Sequence, residues 1–229
     1  MKAKTTRRID RALDRFCEAH FWLHTMEDHY HQSNAFRWSL NAFITTLTAV
    51  PELVHKAADE AKASTSEALE ALKKNDLFSK LRTYRDDIVH NHGLIIDSQG
   101  TIGIYDGSKM RLGFSLPIDP SLDSDTAMLN YLRAGDPLDI MMPDEDNYPV
   151  VYRVWKSSKF DADILSVCRD ALLTVSNFMH QCSQSIFTED YGYKENQFSL
   201  ACCQSLDKIQ YKGYDRQELL KQLCTHYPK

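Results

Sequence analysis

Phe36-Arg37-Trp38-Ser39-Leu40-Asn41-Ala42-Phe43-Ile44 is the stretch on which the fold turns. At about 100° per residue, Phe36, Leu40, Phe43, Ile44 and the following Leu47 line a single face, so the segment predicts an amphipathic helix, with Ser33 or Asn34 as its cap. Upstream, Ile9, Leu13, Phe16, Phe21, Leu23 and Tyr30 approximate the same repeat over residues 7–31, a first long helix. Downstream, Pro51 is read as a kink or a restart. Lysine, glutamate and alanine then favour helix over residues 51–74, and Asn75 and Asp76 supply caps for a further helix. Four such segments in succession predict an antiparallel bundle.

The last of these helices reads Arg82-Thr83-Tyr84-Arg85-Asp86-Asp87-Ile88-Val89-His90-Asn91-His92-Gly93. Arginine offers phosphate a planar fork of donors, and histidine titrates near neutrality, so one helix end carries an anion holder and a proton carrier. Asp86 and His90 are four apart, where the carboxylate can bond one ring nitrogen and set the tautomer. His92 follows Arg85 by a heptad and shares its face more closely, so two histidines compete for one role. Gly93 as a C-terminal cap would leave both near the negative helix end, which favours the protonated ring. The bland alternative is an ion pair of Arg82 with Asp86 and a histidine that merely stabilises the helix end.

Arg85-Asp86-x-x-x-His90 resembles the Arg-polar-x3-His signature of the HEPN superfamily, small all-helical domains of which many are metal-independent ribonucleases. With residues 36–44 followed by a long helix and the Arg/His helix, residues 1–93 resemble bacterial HEPN-like proteins. The resemblance implies a homodimer joined through the Arg/His helix face, with the arginine and histidine of both chains in a shared cleft. Carried over, Arg85 would hold the phosphate, Asp86 would orient, and His90 would move the proton, while His92 fits the looser Arg-x6-His spacing. The implied function is an endoribonuclease of toxin or defence type, acting on RNA without metal or cofactor, with a cognate antitoxin or regulatory protein as a further partner. The rival is a non-catalytic HEPN-like interaction module, antitoxin-like or regulatory.

At 229 residues and 43% hydrophobic content, the chain can bury a good core. It contains neither a readable signal peptide nor 18 uninterrupted apolar residues, so a cytoplasmic protein with no membrane span is expected. A net charge of −5 argues against indiscriminate binding of nucleic acid. The charge is uneven. Lys2, Lys4, Arg7, Arg8, Arg11 and Arg15 face only Asp10 and Asp14 at the start, so Arg7, Arg8 and Arg11, together with Arg82, are expected to contact RNA. Residues 117–149 are acidic and hold five of the seven prolines, which predicts a loop-rich excursion that RNA would avoid.

Five of the eight glycines fall within residues 93–113, where they separate Leu94-Ile95-Ile96, Thr101-Ile102-Gly103-Ile104-Tyr105 and Met110-Arg111-Leu112-Gly113-Phe114. The turn signals Ser98-Gln99-Gly100 and Asp106-Gly107 complete the pattern of a small antiparallel β-meander. Residues 150–155 read as a returning strand, residues 160–186 as a helix packing back on the bundle, and residues 215–224 as a short helix. The expected fold is therefore mainly α, a HEPN-like antiparallel bundle over residues 1–93 with a small antiparallel β insertion over 94–157 and a helical segment over 158–229, within one compact domain. Tyr84, Tyr105, Phe114, Tyr152 and Trp155 are candidates for base stacking, with core burial the commoner use.

His20 and His24 have the i, i+4 spacing that can hold a metal from one helix face, with Glu27 nearby, and Cys202 and Cys203 are adjacent. The H-E-x-x-H motif is absent, no C-x-x-C pair occurs and no histidine stands near the cysteines in sequence, so no metal site is expected. His24 or Glu27 lining the same cleft as Arg85 is a further option. The sequence holds no glycine-rich phosphate loop, no dinucleotide fingerprint and no G-x-S-x-G elbow, which disfavours ATP, dinucleotide and elbow-hydrolase chemistry.

Overall fold

A computed structural model describes residues 2–90, 96–106, 109–134, 147–186 and 200–224. The chain is mainly helical with a small antiparallel sheet and divides into two compact units. Unit 1 comprises Met1–Asp28, Arg37–Ile95 and Ile164–Cys203; unit 2 comprises His29–Phe36, Ile96–Asp163 and Gln204–Lys229.

Helix α1 spans Lys2–Asp28, α2 Ser33–Ala61, α3 Ser66–Lys74 and α4 Asp76–His90. After the sheet-forming stretch, α6 spans Ile164–Ile186. In unit 1, α6 packs against α1, α3 and α4. Each helix buries one stripe: Phe16, Leu23 and Met26 from α1, Leu40, Phe43, Ile44 and Leu47 from α2, Phe78 and Leu81 from α4, and Cys168, Val175 and Phe178 from α6. At roughly 1.5–3 kcal/mol for each large apolar side chain taken from water, these stripes outweigh the intrinsic propensity of any one helix. Asn75 caps α4 as expected, its Oδ1 accepting from the Phe78 amide at 3.0 Å.

Pro51 neither ends nor restarts its helix. It lies inside α2, which runs 29 residues without interruption. Proline cannot donate to the Leu47 carbonyl, but Leu47, Val50, Val54, Ala57 and Ala58 are all buried around it, and that burial exceeds the cost of one lost bond.

The sheet of unit 2 has strands β1 (Asp97–Asp106), β2 (Lys109–Ile118), β3 (Asn147–Lys156) and β4 (Tyr211–Gly213), in spatial order β2-β1-β3-β4. All neighbouring pairs are antiparallel. The expected meander is corrected by this order, because β3 joins the free side of β1 and not β2. The chain reaches that side through α5 (Ser124–Ala134), a helix within the stretch read as loop. Met128 and Leu132 of α5, a helix that holds none of the stretch's prolines, bury with Ile102, Ile118 and Val151 on one face of the sheet, and that burial supports the helix. Ser98-Gln99-Gly100 is likewise not a turn but the interior of β1. A Cβ at Gly100 would lie 2.1 Å from Ile118 Cδ1, so glycine is there to admit a neighbouring side chain. Of the predicted strand Leu94-Ile95-Ile96, only Ile96 is among the described residues, and it precedes β1.

Two short helices, α7 (Leu206–Gln210) and α8 (Arg216–Cys224), flank β4. The centre of unit 2 is Trp155, fully buried, stacked on Phe36 at 4.6 Å between centroids, with the Arg153 guanidinium 3.8 Å from its ring centroid. Arg153 donates to the Leu122 carbonyl at 2.8 Å and to Ser98 Oγ at 3.0 Å. Asp163 accepts from the Trp155 amide at 3.0 Å and from the Tyr30 hydroxyl. These contacts answer most of the polar groups that burial takes from water, although the buried Arg153 Nε makes no hydrogen bond.

His31 is the pH-sensitive member of this unit. Its ring nitrogens meet Ser124 Oγ and the Ile209 carbonyl, each at 2.8 Å, so a neutral ring serves as acceptor on one side and donor on the other. Burial, with Lys212 and Arg153 adding to it, lowers its pKa to about 4. The unfolded chain takes up that proton near 6.5, whereas the folded chain resists until about 4. The stability carried by neutral His31 is therefore complete above about pH 6.5 and lost as the pH falls towards 4, a change of about 3 kcal/mol. Denaturant titrations of wild type and His31→Gln should diverge accordingly, with the variant losing less stability over that interval; equal losses would remove His31 as the cause.

Candidate functional site

A pocket of about 560 Å³ opens in unit 1 among α1, α2, α3 and α4. Arg82, Arg85 and Asp86 enter it from α4, Lys73 from α3, Lys56 and Glu52 from α2, and Arg15 from α1. Arg82 and Arg85 meet because residues three apart on a helix are neighbours. Five cations thus face two carboxylates in a chain whose net charge is −5. Thr45, Thr46 and Thr48 of α2 add a hydroxyl-bearing wall, and Pro51, Leu53, Leu69 and Phe78 an apolar one.

Some of this charge is already engaged. Arg85 Nη1 donates to Asp86 Oδ1 at 3.0 Å, Lys73 Nζ meets Glu70 Oε1 at 3.0 Å, and Arg15 pairs with Glu18. Among the described residues, neither Arg82 nor Lys56 forms an ion pair. Arg85 and Asp86 are both exposed, so their pair is weakly held and open to exchange for a stronger anion. The arrangement can take a multiply charged anion, with guanidinium forks for its oxygens, whereas the Thr45 and Thr48 hydroxyls already donate to the Asn41 and Ile44 carbonyls of α2.

The other sequence candidates fall elsewhere. His90 is exposed and ends α4, but does not line the pocket. Asp86, expected to orient His90, is bonded to Arg85. His92 lies outside the described residues, as does the Arg7 side chain. Arg8 is bridged to Glu60 at 3.0 Å, and Arg11 is exposed on α1 and does not line the pocket. Of the aromatic candidates, Tyr84 and Trp155 are buried and unavailable for stacking. Trp38, not singled out before, is 68% exposed. It stands a heptad before Thr45 on α2, hence on the same helix face as the threonine wall. Lys56 and Lys73 were also missed, since nothing in their local sequence separates them from other surface lysines.

A second polar cluster in unit 1 joins groups that sequence treats as unrelated. His20, His24, Cys202 and Cys203 each offer a donor atom, and these atoms lie within 4.8 Å of one another. Buried Glu27 lies behind them: its Oε2 meets His24 Nδ1 at 2.8 Å and its Oε1 accepts from Arg169 Nη2 at 2.6 Å and Nε at 3.2 Å. Burial raises the pKa of the Cys203 thiol, with the Glu27 charge adding to it, and burial lowers that of His20. Glu27 and His24 therefore belong to this cluster and do not line the Arg85 pocket.

If the pocket holds a polyanion, Arg82→Ala and Lys56→Ala should each weaken binding of single-stranded RNA several-fold and flatten the salt dependence by about 0.7 per lost phosphate contact. Fluorescence anisotropy over a salt series checks this, with Lys208→Ala in unit 2 as the control; unchanged affinity in both pocket variants would place the anion elsewhere.

Known protein families, curated proteins and solved structures yield no match to this chain, so the reading of the site rests on its own geometry.

Proposed function

We propose that unit 1 binds single-stranded RNA in the Arg82/Arg85 pocket and cleaves it as a metal-independent, HEPN-type endoribonuclease. The observation that carries this reading is the convergence of five cations from four helices around one pocket of an otherwise acidic chain. Arg85 holds the scissile phosphate after exchanging Asp86 for it, Arg82 and Lys56 hold the neighbouring charge, and exposed Trp38 offers a face on which a base can stack.

His90 supplies the proton chemistry. As general base it takes the proton of the ribose 2′-hydroxyl; the oxygen attacks phosphorus, the 5′-oxygen leaves and is protonated by a second histidine, and a 2′,3′-cyclic phosphate remains. Arginine offsets the charge of the pentacoordinate state. Because His90 stands outside the pocket of its own chain, the reading requires a homodimer through the α4 face, in which one chain's His90 meets the other's Arg85. Such a seam would also cover Val89, which is 48% exposed beside it. A toxin or defence role, with an antitoxin-like protein as inhibitor, follows from the same reading.

The test is cleavage of a mixed RNA pool without added metal, with product ends analysed. Wild type should leave 2′,3′-cyclic phosphates. His90→Ala should lose about 10²- to 10⁴-fold in rate with folding intact, and Arg85→Lys should fail for want of the planar fork. Mixed dimers of Arg85→Ala and His90→Ala chains should recover activity, since one of their two shared sites is whole. RNA bound but left intact by the wild type would replace this reading with a non-catalytic, regulatory RNA-binding module.

A further inference from the structure

Four soft or borderline donors, His20 and His24 from α1 and Cys202 and Cys203 from the chain at 200–203, converge on one point of unit 1. We propose that they form a tetrahedral Cys2His2 site for a divalent zinc-type cation, which ties the segment at 200–203 to α1.

The distances suit that ion. Zinc bonds of about 2.0–2.1 Å to nitrogen and 2.3 Å to sulfur, arranged tetrahedrally, separate the donors by about 3.3–3.8 Å. Cys202 Sγ and His20 Nε2 are already 3.3 Å apart, and no pair among the four donors exceeds 4.8 Å, so closure needs only rotamer adjustments. The His20 and His24 rings lie 4.6 Å apart between centroids, as a shared ligand requires of an i, i+4 pair. Two thiolates and two imidazoles select zinc over magnesium or calcium, which prefer oxygen.

The surroundings fit as well. A metal-bound histidine usually donates its other ring N–H to a carboxylate, which fixes the tautomer and sharpens the ligand. Glu27 does this for His24: the proton on Nδ1 points to Oε2 at 2.8 Å, which leaves the Nε2 lone pair for the metal. Arg169 holds the other carboxylate oxygen with two N–H groups, so Glu27 is itself fixed. Four protein donors leave no open position, so the ion is structural and takes no part in the RNA chemistry proposed above. Binding replaces the protons of both thiols, which pass to solvent.

The probe is cobalt(II), followed by zinc(II) competition, on the full chain kept reduced and stripped of metal. Wild type should bind one equivalent, with the visible ligand-field bands of tetrahedral cobalt and a thiolate-to-cobalt charge-transfer band, both erased by zinc. Cys202→Ser and His24→Gln should lose the charge-transfer intensity or the tetrahedral bands, and Glu27→Gln should retain the spectrum with affinity lowered about 10- to 100-fold. Cys17→Ser, an exposed thiol of the same helix, should change nothing. Circular dichroism identifies variants that remain folded. Folded, fully reduced wild type that gives no thiolate–cobalt band, or a band whose intensity is unchanged in both Cys202→Ser and Cys203→Ser, overturns the proposal.

Discussion

Glu27 is the constraint on which unit 1 depends. A carboxylate left 4% exposed on α1 must recover the hydration it gives up, and Arg169 of α6 supplies the matching fork. That pair fixes the rotation of the first helix against the last long one. With the rotation set, His20 and His24, seven and three positions earlier, turn towards the segment at 200–203. Arg15, twelve positions earlier, lies about 120° around the helix and reaches the pocket on another side. One buried charge thereby decides which residues of α1 serve which neighbour.

The pocket has the opposite electrostatic logic. Its arginines and Lys56 are exposed and loosely committed, so they remain available to a ligand, whereas the chain as a whole carries a net negative charge. The wall facing them is α2, whose continuity through Pro51 keeps Thr45, Thr48, Glu52 and Lys56 on one rigid element. Had the helix restarted at the proline, Lys56 would have lost its fixed relation to the threonines. Rigid presentation matters because a fork of donors discriminates by geometry as well as by charge.

Much of the local structure was legible from residues alone. The stripes of α2 and α6, that of α1 apart from Phe21, which is exposed, and Tyr30, which lies beyond the helix end, the Asn75 cap and the returning strand at Val150 and Val151 follow from short-range periodicity and cap chemistry, which act within a few residues. The errors share a cause. Gly100 looked like a turn because its reason for being glycine, the side chain of Ile118, is eighteen residues away. Residues 124–134 looked like loop because their apolar content is modest until the sheet face is present to receive Met128 and Leu132. Asp86 was assigned to His90 by helical spacing, yet its neighbour Arg85 reaches it first.

The sequence by itself determined the helical class, the presence of an antiparallel sheet, the pairing of Arg82 with Arg85 on one helix face and that of His20 with His24 on another. These follow from repeats of 3.6 and 2 residues, which any short segment carries within itself. Only the tertiary structure decided that Lys56, Lys73 and Arg15 would join the arginines, that Trp38 would stand in solvent, and that Cys202 would arrive 3.3 Å from a histidine 182 positions before it. Such groupings arise because burying the apolar stripes of separate helices brings their polar edges together, and no local pattern records which edges will meet.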